Sequence, residues 1–308
     1  MDANKWGIVY CPKSGSFRPQ KRWERIEKIL NLYNIDYDFV QSEQSSSVDR
    51  LVTMLINNGY KTIIVVGGDS ALNDAVNCLM SADKKTRDEI KLGVIPNGKM
   101  NDFAHFWDIK ENDVEGVVKM LKKGRTRKID LGCIRYTNSK GEKCHRYFHN
   151  SLNIGLVASV MNMRRKTTGW MGVNTVSIIP SSLKMVFQRL EYKMHLKIND
   201  DTIKRKVMSV SIGNAQGYGF TPNAVPYNGM LDVSVVYHPE VTQLFEGFYL
   251  LYSGKILNHR DVHPYRTKAV EVEKAERAPI GIDGRLMNTP VGPFSVEVEQ
   301  EVISFIIP

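Results

Sequence analysis

The sequence predicts an α/β protein of two domains, an N-terminal parallel sheet with helices and a C-terminal antiparallel β-sandwich. Three observations carry this expectation. Strand-like and helix-like segments alternate from residue 5 to about 128, the order that builds a parallel sheet covered on both faces. Period-two segments dominate after Lys128, as in antiparallel sheets with one buried face. Between Ile63 and Met80, four apolar β-branched residues run into Gly67-Gly68-Asp69 and straight on into an amphipathic segment. This reads as a buried parallel strand, a sharp turn and a helix.

Within the first half, Trp6–Tyr10 reads as a strand and Gln20–Tyr33 as a helix with apolar residues at Trp23, Ile26, Ile29 and Leu30. Asp36–Val40 is a second strand and Val48–Asn57 a second helix. The glycine-turn strand and its helix follow, then a strand at Leu92–Ile95 and a helix at Glu111–Lys123. The basic, glycine-containing join at Gly124–Lys128 is the expected boundary, giving domains 1–128 and 129–301. Beyond it, Lys128–Tyr136, Cys144–Ile154, Lys193–Ile198, Lys204–Gly213, Leu231–Tyr237 and Phe294–Val298 read as strands. Helical interruptions fall at Asn174–Arg189 and Val241–Ser253, and Val302–Ile307 reads as one more apolar strand.

The chain has 308 residues, 42% hydrophobic and 24% charged, within the range of a globular protein. No apolar run approaches the roughly 18 residues of a membrane span, and Trp6–Tyr10 is too short for a signal peptide. The four cysteines are scattered, as expected of reduced thiols in a cytoplasmic protein. A net charge of +9 suits anionic partners. With no zinc-finger spacing, aromatic RNP pattern or recognition helix, nucleic acid is not expected. The basic clusters Lys122–Lys128 and Arg164–Lys166 read either as solvated faces or as contacts for an anionic membrane surface.

Chemistry is concentrated in a few motifs. The amides that open the helix after Gly67-Gly68-Asp69 form an electropositive edge suited to phosphate, although any α/β domain can carry a glycine turn there. A second strand–loop element, LGVIPNGKMNDFA (92–104), repeats the theme. Pro96 stops the strand, Gly98 permits a tight loop, and Asn101-Asp102 precede a new helical segment. Downstream lie GNAQGYGFTPNAVPYNGMLDVSVV (213–236) and IGIDGRL (280–286).

With Pro12-Lys13-Ser14-Gly15, these motifs in this order resemble the diacylglycerol kinase and sphingosine kinase superfamily, whose bacterial members are lipid kinases. The resemblance implies ATP as phosphate donor, a lipid alcohol as acceptor, Mg2+ as the accompanying metal, peripheral contact with a membrane, and a C-terminal strand that returns to the first domain. It places Gly67, Gly68, Asp69 and Ser70 at the triphosphate, Asn73 in support, and Gly98, Lys99, Asn101 and Asp102 around the same pocket. Asp283 matches the family's DGE aspartate and is the expected general base, with Asp69 the second candidate. For Asp102 a helix N-cap is the competing reading, and for Asp232 a structural role. Met163, Trp170 and Met171 are candidates for the lipid side, though packing of the next helix would explain them equally. A homodimer is left open.

Departures from the family pattern share a direction. Ser70-Ala71 replaces Gly-Thr, and Lys99-Met100 replaces Thr-x. Tyr227-Asn228 replaces the Asp-Asp pair, so the metal region around Asn228 and Asp232 has an amide for a carboxylate. Arg285 replaces the DGE glutamate and is a candidate for phosphate, with Lys99, through direct cationic contacts. Charge moves towards positive at 99, 228 and 285. An active lipid kinase therefore stands beside a weak or inactive homologue that binds nucleotide or phosphorylated lipid. An NAD kinase is disfavoured by Asn101-Asp102-Phe103-Ala104.

Overall fold

The structure, a computed structural model, describes residues 5–14, 19–43, 47–98, 100–160, 191–237, 240–287, 290 and 292–308. The chain divides into two compact units, Met1–Leu131 with Gln300–Pro308, and Gly132–Glu299.

In the first unit, strands β1 (Trp6–Tyr10), β2 (Tyr37–Gln41), β3 (Thr62–Gly67) and β4 (Lys91–Pro96) lie in the order β2-β1-β3-β4, all parallel. The helices are α1 (Pro19–Leu32), α2 (Val48–Asn57), α3 (Asp69–Ser81), α4 (Lys84–Glu89), α5 (Asp102–Phe106) and α6 (Val114–Lys123). Ile63, Ile64, Val65 and Val66 are fully buried because the sheet is covered on both faces. Each such side chain removed from water contributes about 1.5–3 kcal/mol. The end of the chain adds a further parallel pairing, Ser304 and Phe305 beside Lys91 and Leu92. The register sets Tyr10 beside Val66 and Gly67 beside Pro96, so the loops leaving β1, β3 and β4 start at one level. That is where ligands of open parallel sheets bind.

The second unit holds two antiparallel layers. One carries β8 (Tyr192–Ile198), β9 (Asp201–Val207), β13 (Ala269–Ala275) and the first part of β16 (Phe294–Ile306). The hairpin of β5 (Thr126–Thr137) and β6 (Lys143–Phe148) belongs with it, β5 pairing with β16. The other sheet runs β12-β11-β10-β7-β14-β15, from β7 (Ser151–Gly155), β10 (Ser209–Gly213), β11 (Leu231–Val236), β12 (Val262–Thr267), β14 (Ile280–Ile282) and β15 (Arg285–Met287). Alternate residues of both layers meet in one core, among them Leu196, Val207, Val272 and Val296 from one, Ile154, Ile212, Val233 and Ile280 from the other.

Two expected strands are broken. Cys144–Ile154 is interrupted at His149-Asn150, separating β6 from β7. Lys204–Gly213 is interrupted at Met208, and its halves join different sheets. A helix α7 (Val241–Tyr252) stands within a residue of its expected bounds. The expected helix 174–189 lies outside the described residues.

Candidate functional sites

In the first unit the two glycine loops touch backbone to backbone. A Cβ on Gly98 would sit 2.5 Å from the Gly68 Cα and 2.6 Å from the Asn101 Oδ1, and one on Gly68 would sit 2.8 Å from the Gly98 Cα. Only glycine fits either position. Asn101, left-handed at φ 54°, closes the second loop on itself. Its Oδ1 accepts from the Gly98 N–H at 2.8 Å, and its Nδ2 donates to the Gly98 carbonyl and to Glu111 Oε2, both at 3.0 Å. Asn97 fastens this loop to β3 and β1, its N–H donating to the Gly67 carbonyl and its Nδ2 to the Cys11 carbonyl.

Asp69, the first residue of α3, spans the two loops. Its carboxylate accepts from the backbone N–H of Asp102 at 3.1 Å and of Phe103 at 3.3 Å. It therefore caps α5 from another segment and fixes the distance between the two turns. Ser70 is half-buried at the opening of α3, and Asn73 is buried within it, its carbonyl and Oδ1 accepting from Asn77 Nδ2. Asp102 is the first residue of α5 rather than its cap: Asn101 holds the N-cap position without a side-chain cap bond, and Asp69 takes the N–H groups of Asp102 and Phe103. Lys99 lies outside the described residues.

Arg22 was not foreseen. From α1 it donates to the carbonyls of Pro96 and Glu111, at 3.0 and 2.7 Å. Burial, then the neighbouring Arg25, hold its pKa below the usual guanidinium range. One arginine among the charged residues of α1 gave no signal of this brace, which depends on two segments far along the chain.

In the second unit Asp283 is fully buried at the turn between β14 and β15. Asp283 and Gly284 have φ of 42° and 82°, the two positive angles of a type I′ hairpin turn, which favours the Asp-Gly pair. The carboxylate accepts from the backbone N–H groups of His149 (3.0 Å), Asn150 (3.1 Å) and Ser151 (2.8 Å), and faces His149 Nδ1 at 2.9 Å. Burial alone would raise its pKa. The His149 imidazole and the backbone donors outweigh burial and hold it below the usual carboxylate range. Arg285 is half-buried in β15, paired across the hairpin with Ile282. His149 was missed because a histidine inside a period-two run looks like any strand residue.

A proton acceptor must offer an oxygen to its substrate, and no surface of Asp283 is exposed in this arrangement. What Asp283 does here is fold the 149–151 segment into a turn. Asn214 extends the network, donating from its backbone N–H to the Asn150 carbonyl and from Nδ2 to the His149 carbonyl, both at 2.9 Å.

The residues at 228 and 232 do not form a magnesium set. Asp232 lies opposite Arg266 in the β11–β12 pairing and accepts from it twice, Nε to Oδ1 at 2.7 Å and Nη2 to Oδ2 at 3.1 Å. The guanidinium already neutralises that carboxylate. Asn228 Oδ1 accepts from the Met230 N–H in a local turn. Among the described residues no three His, Cys, Asp or Glu side chains converge as metal ligands. The lipid-side candidates Met163, Trp170 and Met171, with the cluster Arg164–Lys166, lie outside the described residues.

Comparison with known proteins agrees with the motifs. The sequence model of the diacylglycerol kinase catalytic domain matches residues 5–134, and that of the YegS C-terminal NAD kinase beta sandwich-like domain matches 156–307. The chain belongs to the diacylglycerol kinase-like family of lipid kinases. It is 23% identical over 297 residues to YtlR of Bacillus subtilis, covering 92% of this chain and 94% of that one. It is 24% identical over 284 residues to a diacylglycerol kinase of Staphylococcus carnosus, covering 90% and 87%. The crystal structure of a diacylglycerol kinase from Bacillus anthracis superposes with a TM-score of 0.68 at 18% identity, over 100% of this chain and 98% of that one. Yeast NADH kinase shares the fold more distantly, with a TM-score of 0.53 at 9% identity over 98% and 84%.

Proposed function

We propose that the protein transfers the terminal phosphoryl group of ATP to the hydroxyl of a diacylglycerol-like lipid. The single observation that carries this reading is the Gly68–Gly98 contact held by Asp69. Ser70 stands where the family has glycine, yet the loops still meet backbone to backbone and the opening of α3 stays clear of bulky side chains at Gly67 and Gly68. Phosphoryl transfer is mostly positioning and charge neutralisation, and this element positions backbone N–H groups at a helix start. Asn101 and Arg22 fix the loop, Asp69 sets its spacing, and Lys99 and Arg285 are candidates to neutralise phosphate. Asp283 acts as a positioning residue, holding the 149–151 turn in shape. For it to serve as the base, its carboxylate would have to exchange backbone donors for the substrate hydroxyl.

A second reading, a homologue that binds nucleotide but transfers slowly, is favoured by the commitment of Asp232 to Arg266 and by the amide at 228. Labelled ATP offered with a panel of lipid alcohols separates the two. Transfer to diacylglycerol supports the first, and nucleotide binding without transfer to any lipid supports the second.

A further inference from the structure

Six large hydrophobic side chains are well exposed among the described residues, and three of them lie on α7: Phe245 at 69%, Tyr249 at 70% and Tyr252 at 94%. Their spacing of four and then three places them on one face of the helix. The opposite side is anchored. Leu251 approaches Gly219, Gly247 packs beside His259, and His259 Nε2 lies 3.2 Å from the Gln243 carbonyl. Phe248, Leu250 and Leu251 pack onto a small core of Leu156, Met208, Val236, Ile256 and Val262. A capping box between Glu240 and Gln243 fixes the first turn, and Gly254 at φ 71° follows the last. The aromatic row is thus presented by a helix held from behind, and the core has no use for it.

We propose that this face of α7 docks on the interface of an anionic lipid bilayer. The inference rests on the lipid-kinase reading, since an acceptor with acyl chains resides in a membrane and the enzyme must reach it there. Among the described residues no helix is long and apolar enough to cross a bilayer, so contact through the described part is made from the surface. Phenylalanine and tyrosine suit that depth, with ring bodies among acyl chains and phenol hydroxyls at the headgroups. The charges beside the row are mixed, Glu240 and Glu246 against Lys255 and Arg260, with Arg260 facing Glu240 at 3.6 Å. Local attraction is therefore small, and the apolar row supplies the adhesion. The chain's net charge of +9 supplies the long-range attraction to anionic lipid.

A second copy of the chain fits this face less well. Like-charged copies repel, and three aromatic side chains present at most about 600 Å², short of the roughly 800 Å² per partner in a stable complex.

The test compares the wild-type chain with Phe245→Ser/Tyr249→Ser/Tyr252→Ser and with the same three positions changed to Trp. Co-sedimentation uses vesicles of phosphatidylglycerol and phosphatidylcholine in equal parts, and melting temperature and sedimentation velocity are recorded for each protein. The serine variant is expected to lose about tenfold or more in vesicle binding with its melting temperature kept, and the tryptophan variant to bind as well as the wild type or better. Wild-type protein that ignores vesicles, or a serine variant that binds them undiminished, overturns the proposal. A wild-type dimer that becomes monomeric in the serine variant assigns the face to a second copy and also overturns it. Transfer to a short-chain diacylglycerol dissolved as monomers is measured in parallel. It needs no membrane, so its absence counts against the kinase reading while vesicle binding still decides the docking.

Discussion

At the scale of single residues the sharpest constraint is the absence of a side chain at 98. A methyl group there meets backbone at 2.5 Å and the Asn101 Oδ1 at 2.6 Å; the backbone cannot swing away, and the Asn101 amide is tied down by its hydrogen bonds to Gly98 and Glu111. Gly98→Ala is therefore expected to force the two loops apart, costing about 1–3 kcal/mol. Calorimetry should show nucleotide affinity falling further than the loss of stability explains. Equal affinity in the variant would mean that the contact does not shape the nucleotide site. Asp283 makes a different prediction. Its pKa is lowered in the folded chain, so its stabilisation is complete above the unfolded value of about 3.9 and is lost as pH falls through the folded value. Asp283→Asn removes a buried charge that accepts from three backbone N–H groups, at a cost of about 3 kcal/mol. Denaturant titrations should give a shallower acid limb in the variant than in the wild type, and parallel limbs would contradict the assignment.

Among the elements, the parallel half was legible because buried strands such as Ile63–Val66 are apolar without interruption and the helices between them keep apolar spacing. The β-rich half was legible as a class but not strand by strand. Cys144–Ile154 reads as one strand although three polar residues stand in a row at His149-Asn150-Ser151, and what holds the break is a carboxylate 134 positions away from His149. No local pattern could carry that. Strands β12 to β15 were unread for other reasons: Pro264 interrupts β12, β14 and β15 have three residues each, and the alternation of β13, Val270-Glu271-Val272-Glu273, was legible but passed over. The Asp283-Gly284 pair was read for chemistry when its hairpin geometry was equally visible in the sequence. The β11–β12 pairing gives this scale its test. Arg266 is about half exposed at its side chain, whereas that of Asp232 is 12% exposed, so Arg266→Ala is expected to cost only about 1 kcal/mol in chemical unfolding. Because Arg266 already neutralises Asp232, Mg2+ alone should leave the wild-type melting temperature unchanged. A rise with Mg2+ in the absence of nucleotide would show a protein-held metal where the geometry offers none.

For the whole molecule, the two sequence models together span nearly all of the chain, and the family motifs were readable despite low identity because each answers a local demand. Glycines are needed where backbones touch, Asn101 where the chain turns left-handed, and Asp69 where a second loop needs capping. Residues that act through distant partners, Arg22 and His149, were not readable for the converse reason. The departures at 70, 228 and 285 leave the loop contact intact, and Asp232 has a cation of its own in Arg266. The activity proposed for this architecture is transfer of phosphate to a lipid hydroxyl. The measurement that tests it most directly is transfer of labelled terminal phosphate from ATP to diacylglycerol, with NAD(H) and Gly98→Ala as controls. Labelled phospholipid is expected with the wild type, a strong reduction with Gly98→Ala and no labelled NADP(H). Labelled NADP(H), or no transfer to any lipid alcohol by a folded wild-type chain that binds ATP, would contradict it.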